Sequence, residues 1–279
     1  MAETAFQKQY RQEYVSGFEF KQSMLRASVT TEHMSKGNEA IFLVVDANGQ
    51  EARTRGVNGM IPANVEDQNQ HAVTLVEWHD LRKRTSFNIF ASQGNQRKIM
   101  QDKSLATMNR KIDDDIIAEL ANGTVDTGAT ATGSLALVTK GLAILGNADV
   151  DVEEEDNMFG LITPAMEAYL LRDAAFTSAD YVDVKPLVGP AKKMRRWAGV
   201  NWIKHSRLPG KGTNAEKCFL YHRSAIGHAF DSETLKVVVG YDEEQDYSFA
   251  RVSNFMGSKL LQNSGVVVMN HDGSALVGA

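Results

Sequence analysis

Seven histidines are the residues best suited to proton transfer or metal binding: His33, His71, His79, His205, His222, His228 and His271. No two of them form a His-Glu-x-x-His pair, which would put two ligands on one helix face. His79-Asp80, and His222 or His228 with Asp231, could belong to a site, but their alternating context reads as strand surface. Ser224, His228 and Asp231 supply the residue types of a hydrolase, without the Gly-x-Ser-x-Gly turn that exposes such a nucleophile. Cys218 alternates with Leu220 and His222 and reads as a buried small hydrophobe rather than a nucleophile.

Phosphate chemistry has one faint candidate, Leu208-Pro209-Gly210-Lys211-Gly212-Thr213. Gly212 interrupts the Gly-Lys-Ser/Thr order that would cradle a phosphate, so a mobile surface loop is expected. Asp149, Asp151, Glu153, Glu154, Glu155 and Asp156 form an acidic run lacking the glycine and final glutamate of a calcium loop. Lys192, Lys193, Arg195 and Arg196 are its basic counterpart, followed by Trp197. Opposite-sign runs on one chain suit pairing between subunits as well as ligand binding. The residues thus assign no catalytic group, no cofactor site and no metal site.

The elements that must hold these residues are a mixture of helices and strands. Phe6, Tyr10, Tyr14 and Phe18 recur every four residues and predict an amphipathic helix with an aromatic stripe. Thr30 to Asn38 reads as a linker. A strand from Ile41 to Val45 ends at Asp46-Ala47-Asn48-Gly49, a type I′ turn signal, and a second Asn-Gly stands at Asn58-Gly59. Strand character returns only at Val73 to Trp78. An excursion of about fifteen residues each way reaches on the order of 50 Å at roughly 3.3 Å per residue. With little core of its own, it must lie on something else, which suggests a protein that builds contacts with its neighbours.

A long helix is expected from near Asn95, with Leu105, Met108, Ile112, Ile116 and Leu120 inward, Arg110, Lys111, Asp113 and Asp114 elsewhere, and a stop at Asn122-Gly123. Thr124 to Gly133 reads as a loop. Leu135, Val138, Leu142 and Leu145 mark a short helix, and Thr163-Pro164 opens another with Met166, Tyr169 and Leu170 inward. Strands are expected at Phe159 to Ile162, Val200 to Ile203, Cys218 to His222, Val237 to Tyr241, Tyr247 to Val252 and Gly265 to Met269. No repeat is visible.

Composition bounds the function. At 279 residues and 43% hydrophobic content the chain can bury a real core. Its net charge of −5 lacks the basic excess of a nucleic-acid gripper. No apolar run is long enough to cross a membrane, and Met1 to Tyr14 is too polar for a secretory signal. The single cysteine excludes an intrachain disulfide and suits a reducing compartment.

Several long blocks are more specific than any of these motifs. TRGVNGMIPA (Thr54 to Ala63), EWHDLRKRTSFNIFASQG (Glu77 to Gly94) and LITPAMEAYLL (Leu161 to Leu171) are three. NAEKCFLYHRSAIGHAFD (Asn214 to Asp231) and VGYDEEQDYSFARVSNFMGSKLLQNSGVVVMNHDG (Val239 to Gly273) complete the set. Together they resemble the major capsid proteins of tailed bacteriophages, of the short type with the Hong Kong 97 fold. The resemblance implies an α+β chain with five parts: an N-terminal arm (1–40), an extended loop or E-loop (41–90), a peripheral domain with a spine helix (91–122), an axial domain (123–241) and a return to the peripheral domain (242–279). It implies a structural role without catalytic residues: hexamers and pentamers tiling an icosahedral shell around double-stranded DNA. A cellular encapsulin-type nanocompartment shell is the alternative.

The same resemblance implies partners: other copies of the chain, a portal protein at one vertex, a possible cement protein, and packaged DNA touched without sequence preference. Only about forty residues precede the extended loop, so a separate scaffolding protein is expected. No lysine lies between Lys36 and Lys83, so lysine crosslinking through the loop is not expected. The expected location is the virion capsid, after assembly in the host bacterial cytoplasm, with no membrane partner. Expected contact residues are Phe6, Tyr10, Tyr14 and Phe18 on the arm, Arg53, Arg55, Val57 and Met60 on the loop, and Arg82, Lys83 and Arg84 at its base.

Overall fold

The computed structural model describes residues 23–34, 36–46, 51–61, 63–64, 67–91, 95–154, 156–173, 194–231 and 236–274. The aromatic stripe Phe6, Tyr10, Tyr14 and Phe18 lies outside them, as do Lys192 and Lys193.

Helix α2 (Gln96–Ala121) organises the molecule; α1 (Ser86–Ala91) is a short helix just before it. The Asn95 side chain caps α2 by accepting from the Lys98 amide at 3.2 Å, and Asn122 ends it. Both ends stand where asparagine would place them. Met108, Ile112, Ile116 and Leu120 are buried as their spacing requires, whereas Leu105 is half-buried. Asp113, expected on another face, is 1% exposed. The reason is that α2 is covered on more than one side, by the first sheet and by the segment entering from the N-terminus.

The first sheet is built on β11 (Tyr247–Leu260). Along one side runs β4 (Val76–Thr85), antiparallel from Tyr247↔Thr85 to Met256↔Val76. Along the other run β10 (Lys236–Asp242) and then β9 (Ile226–Asp231), also antiparallel. β1 (Thr30–Met34) adds a parallel edge strand to β9 in the segment that reads as a linker, because its Thr-Thr-Glu-His sequence lacks apolar alternation. Ala250 and Val252 are fully buried. β11 is longer than its apolar stretch predicts; Ser253, Asn254, Gly257 and Ser258 continue the strand without hydrophobic signal.

The second sheet has the order β12-β8-β5-β7-β6. Its centre is β5 (Met158–Ile162), buried throughout, between β7 (Val200–Lys204, parallel) and β8 (Glu216–His222, antiparallel). β6 (Met194–Trp197) and β12 (Val266–His271) close the sides. At Gly160 the strand backbone touches the Trp202 ring; a Cβ there would sit 2.4 Å from Cε3. Helices α3 (Leu135–Asn147) and α4 (Pro164–Leu170) are capped by Ser134 and Thr163, the latter with proline at the first position. One continuous core joins Ile112 and Ile116 of α2 to both sheets.

Sheet membership follows pairing rather than chain order, so it does not change at Tyr241. The strands from Ile226 to Leu260 already lie with α2, and β12 then joins the sheet of β5 and β8.

A two-stranded hairpin stands apart from both sheets. β2 (Glu39–Asp46) and β3 (Asp67–Thr74) pair from Glu39↔Thr74 to Asp46↔Asp67. The expected turn at Asn48-Gly49 lies outside the described residues; the partner of β2 begins at Asp67, and eight paired residues extend about 27 Å. At Gly257 β11 passes so close to this hairpin that a Cβ would meet the Thr74 carbonyl oxygen at 2.5 Å.

Candidate assembly surfaces

Alternation in β2 gives the hairpin two different faces. Ala40 and Val73 pack on Ala229, and Phe42 lies over Gly227, where a Cβ would meet its ring at 3.0 Å. On the opposite face Ile41, Leu43 and Val45 are 63%, 54% and 54% exposed. A β-strand that shows three aliphatic side chains to water on one face is a surface awaiting a cover.

Beyond the paired strands, residues 51–61 are exposed throughout. Gly59, at φ +75°, forms a turn in which its amide donates to the Gly56 carbonyl at 2.9 Å. The turn presents Val57, Met60 and Ile61, each more than 60% exposed, beside exposed Arg53 and Arg55. Arg53, Arg55, Val57 and Met60 thus share one projecting segment.

Arg82, Lys83 and Arg84 do not lie at the root of that hairpin. They sit near the C-terminal end of β4, opposite Ala250, Phe249 and Ser248 of β11. Leu75 explains the separation: its amide bonds to the Asn38 carbonyl at 2.8 Å, and the chain leaves one pairing partner for another at that point. Arg82 is held by Asp80 (Nε to Oδ2, 3.0 Å) and donates to Thr107 Oγ1 on α2 at 3.0 Å. Lys83 Nζ lies 4.3 Å from the Tyr247 ring centroid. Directly after β4, α1 exposes Phe87 (74%) and Phe90 (90%).

The N-terminal segment is fastened where the described chain begins. Asp113 Oδ1 accepts from Ser23 Oγ at 2.6 Å and from the Leu25 amide at 3.2 Å, while Oδ2 accepts from the Met24 amide at 3.1 Å. His205 Nε2 stands 3.5 Å from the same carboxylate, and both residues are nearly fully buried. Leu25 then enters the core. Sequence reading missed this clamp, since a lone aspartate on a long helix gives no signal of its partners.

The candidates for chemistry disperse. Ser224 Oγ contacts His222 Nδ1 at 2.7 Å, whereas His228 Nδ1 contacts Ser258 Oγ at 2.9 Å, so Ser224, His228 and Asp231 are not a relay. His205, His228 and His271 are buried rather than on a strand surface, His271 with Nε2 3.7 Å from Glu216 Oε2. Burial pushes the His228 imidazole down to about 4 and the Cys218 thiol up to about 12, leaving both uncharged at neutral pH. Leu208 is buried and anchors the Gly210–Gly212 turn, which carries a Thr213 hydroxyl bond to the Gly210 carbonyl at 2.6 Å. Among the described residues no three His, Cys, Asp or Glu side chains gather as a metal site, and no helix is long and apolar enough to cross a membrane.

The sequence profile of the phage capsid proteins matches residues 2–273. The chain belongs to the phage capsid protein family. Solved capsid structures share its fold at low identity. A structure from Mycobacterium phage Che8 aligns with a TM-score of 0.75 and 16% identity, over 97% of this chain and 98% of that one. The capsid of cyanophage P-SCSP1u gives 0.70 and 16%, over 96% and 93%. The capsid of a native GTA particle gives 0.69 and 11%, over 96% of both. No curated protein sequence matches the chain. The fold is HK97-like and the protein is a structural component of a phage capsid, a shell of associating copies. Its hairpin face, its 51–61 segment and its β4–α1 corner leave large apolar side chains exposed in the single chain.

Proposed function

We propose that the chain is a tile whose E-loop hairpin lies across an adjacent copy, in hexamers and pentamers that close an icosahedral shell around double-stranded DNA. One observation carries this reading: Ile41, Leu43, Val45, Val57, Met60 and Ile61 form an exposed apolar series on a projection with almost no core of its own. Covering such side chains contributes roughly 25 cal/mol per Å² of apolar area removed from water. Many modest contacts of this kind make loss of a subunit from a closed ring rare, yet let misplaced copies leave before closure.

In this reading the unit of α2 and β11 is the peripheral domain, and the unit of β5 and β8 the axial domain. Phe6, Tyr10, Tyr14 and Phe18 supply an arm contact, and Arg53 and Arg55 pair with acids on the neighbour. The protein does no catalysis. A separate scaffolding protein, a portal protein at one vertex and a cement protein complete the particle, assembled in the host bacterial cytoplasm. A chain of net charge −5 touches packaged DNA without gripping it. Membership of the phage capsid family favours this over a cellular nanocompartment shell.

The test is Arg53→Ala with Arg55→Ala, read by electron microscopy of the chain expressed with its scaffold. Folded, unassembled protein is expected. Normal particles would refute the loop assignment.

A further inference from the structure

Between β4 and α2 lies a cavity of about 270 Å³ lined by Arg82, Lys83, Arg84 and Lys103 over a floor of Ile99 and Met100. Arg82, Arg84 and Lys103 are half-buried about it, in a chain whose net charge is −5, whereas the exposed Lys83 alternates to the other face of β4 and sets its ammonium over the Tyr247 ring. Arg82 Nε is engaged by Asp80 at 3.0 Å. Arg84 and Lys103 have no ion-pair partner among the described residues, and both are half-buried. Like charges held together in a partly desolvated site repel one another unless an anion joins them.

The chain carries a matching anion on its other sheet. Asp149, Asp151 and Glu153 are exposed, and no cation partners them among the described residues. They lie on a loop placed beside β6 and β8 by Asp156, which pairs with Arg196, and by Glu154, 4.0 Å from His222 Nε2. The Asp151 carboxylate accepts the Glu153 amide at 3.1 Å, which fixes the loop's shape. No bond joins this loop to the β4–α2 cavity within one chain among the described residues. Resting on the shell reading, we infer that the cavity of one copy receives the Asp149–Glu153 carboxylates of a second. Two different patches on one chain make a head-to-tail contact, the kind that closes rings. A polyanion is the lesser fit. The net negative chain repels it, and one small cavity with an apolar floor suits a side-chain carboxylate better than a duplex backbone.

The experiment is a charge swap, read as shells by electron microscopy and sedimentation. Arg84→Glu with Lys103→Glu should cut assembly by about tenfold or more, and so should Asp151→Lys with Glu153→Lys. All four together should restore it. Where the glutamates prevent folding, Arg84→Gln with Lys103→Gln should give the same loss. Independently, Lys103→Cys with Glu153→Cys should yield a ladder of disulfide-linked dimers and higher oligomers on a non-reducing gel, the buried Cys218 staying silent. Loss without rescue, or no loss, overturns the contact. So does a duplex DNA gel shift that Arg84→Gln with Lys103→Gln abolishes. If the wild-type chain forms no shells, the shell reading fails by itself. The cysteine pair then decides the contact in whatever oligomer remains: a link supports it and none overturns it.

Discussion

Asp113→Ala isolates the buried clamp between α2 and the incoming N-terminal segment. The carboxylate accepts from Ser23 Oγ, the Met24 amide and the Leu25 amide at 2.6–3.2 Å. A hydrogen bond to a charged group contributes about 1.5 kcal/mol net, and a buried donor left unpaired costs a similar amount. Three such bonds give about 4 kcal/mol, reduced to about 3 because Ser23 and Met24 are partly open to water. Asp113→Asn keeps the volume and one acceptor, so a smaller loss of about 2 kcal/mol is expected. Urea unfolding of the unassembled chain, followed by circular dichroism, measures both, with the slope checking that only stability has changed. The Ala variant should also be cut faster by protease near Ser23, since the segment loses its anchor. A loss below about 1 kcal/mol, with unchanged cleavage, would refute the idea that this carboxylate holds the segment.

Two further outcomes follow from buried contacts. Gly160→Ala should lower stability by about 1–3 kcal/mol, because its Cβ would meet the Trp202 ring at 2.4 Å inside a fully buried strand; a melting temperature within error of wild type would contradict the packing. His228 is neutral in the fold, with Arg26 lowering and Asp113 raising an imidazole that burial holds near 4. Between pH 6.5 and 4 the unfolded chain binds a proton that the folded chain does not, so stability falls as pH drops through that window, by about 3 kcal/mol at most. His228→Gln should flatten that part of the profile, and an unchanged slope in urea titrations would exclude His228 as its source.

Local signals were the most legible part of this chain. Helix α2 ends at the asparagines that flank it, and α4 opens on Thr163-Pro164, because capping depends on a few adjacent residues. The aliphatic run of β2 and the apolar character of β5, β8 and β12 were equally plain. Polar strands were not. β1, β3 and the far half of β11 take their conformation from the strands beside them, and that pairing leaves no local pattern.

By itself, then, the sequence determined the α+β class, the long helix, the projecting hairpin and, through its long blocks, the kinship with capsid proteins. Only the tertiary structure decided that Arg82 to Arg84 belong to a sheet, that Asp113 and His205 are buried together, and that Ser224 and His228 part company. The physical reason is range. Helix caps and alternation are settled within a few residues, whereas a pocket or a clamp is settled by segments about ninety or more positions apart meeting in one core.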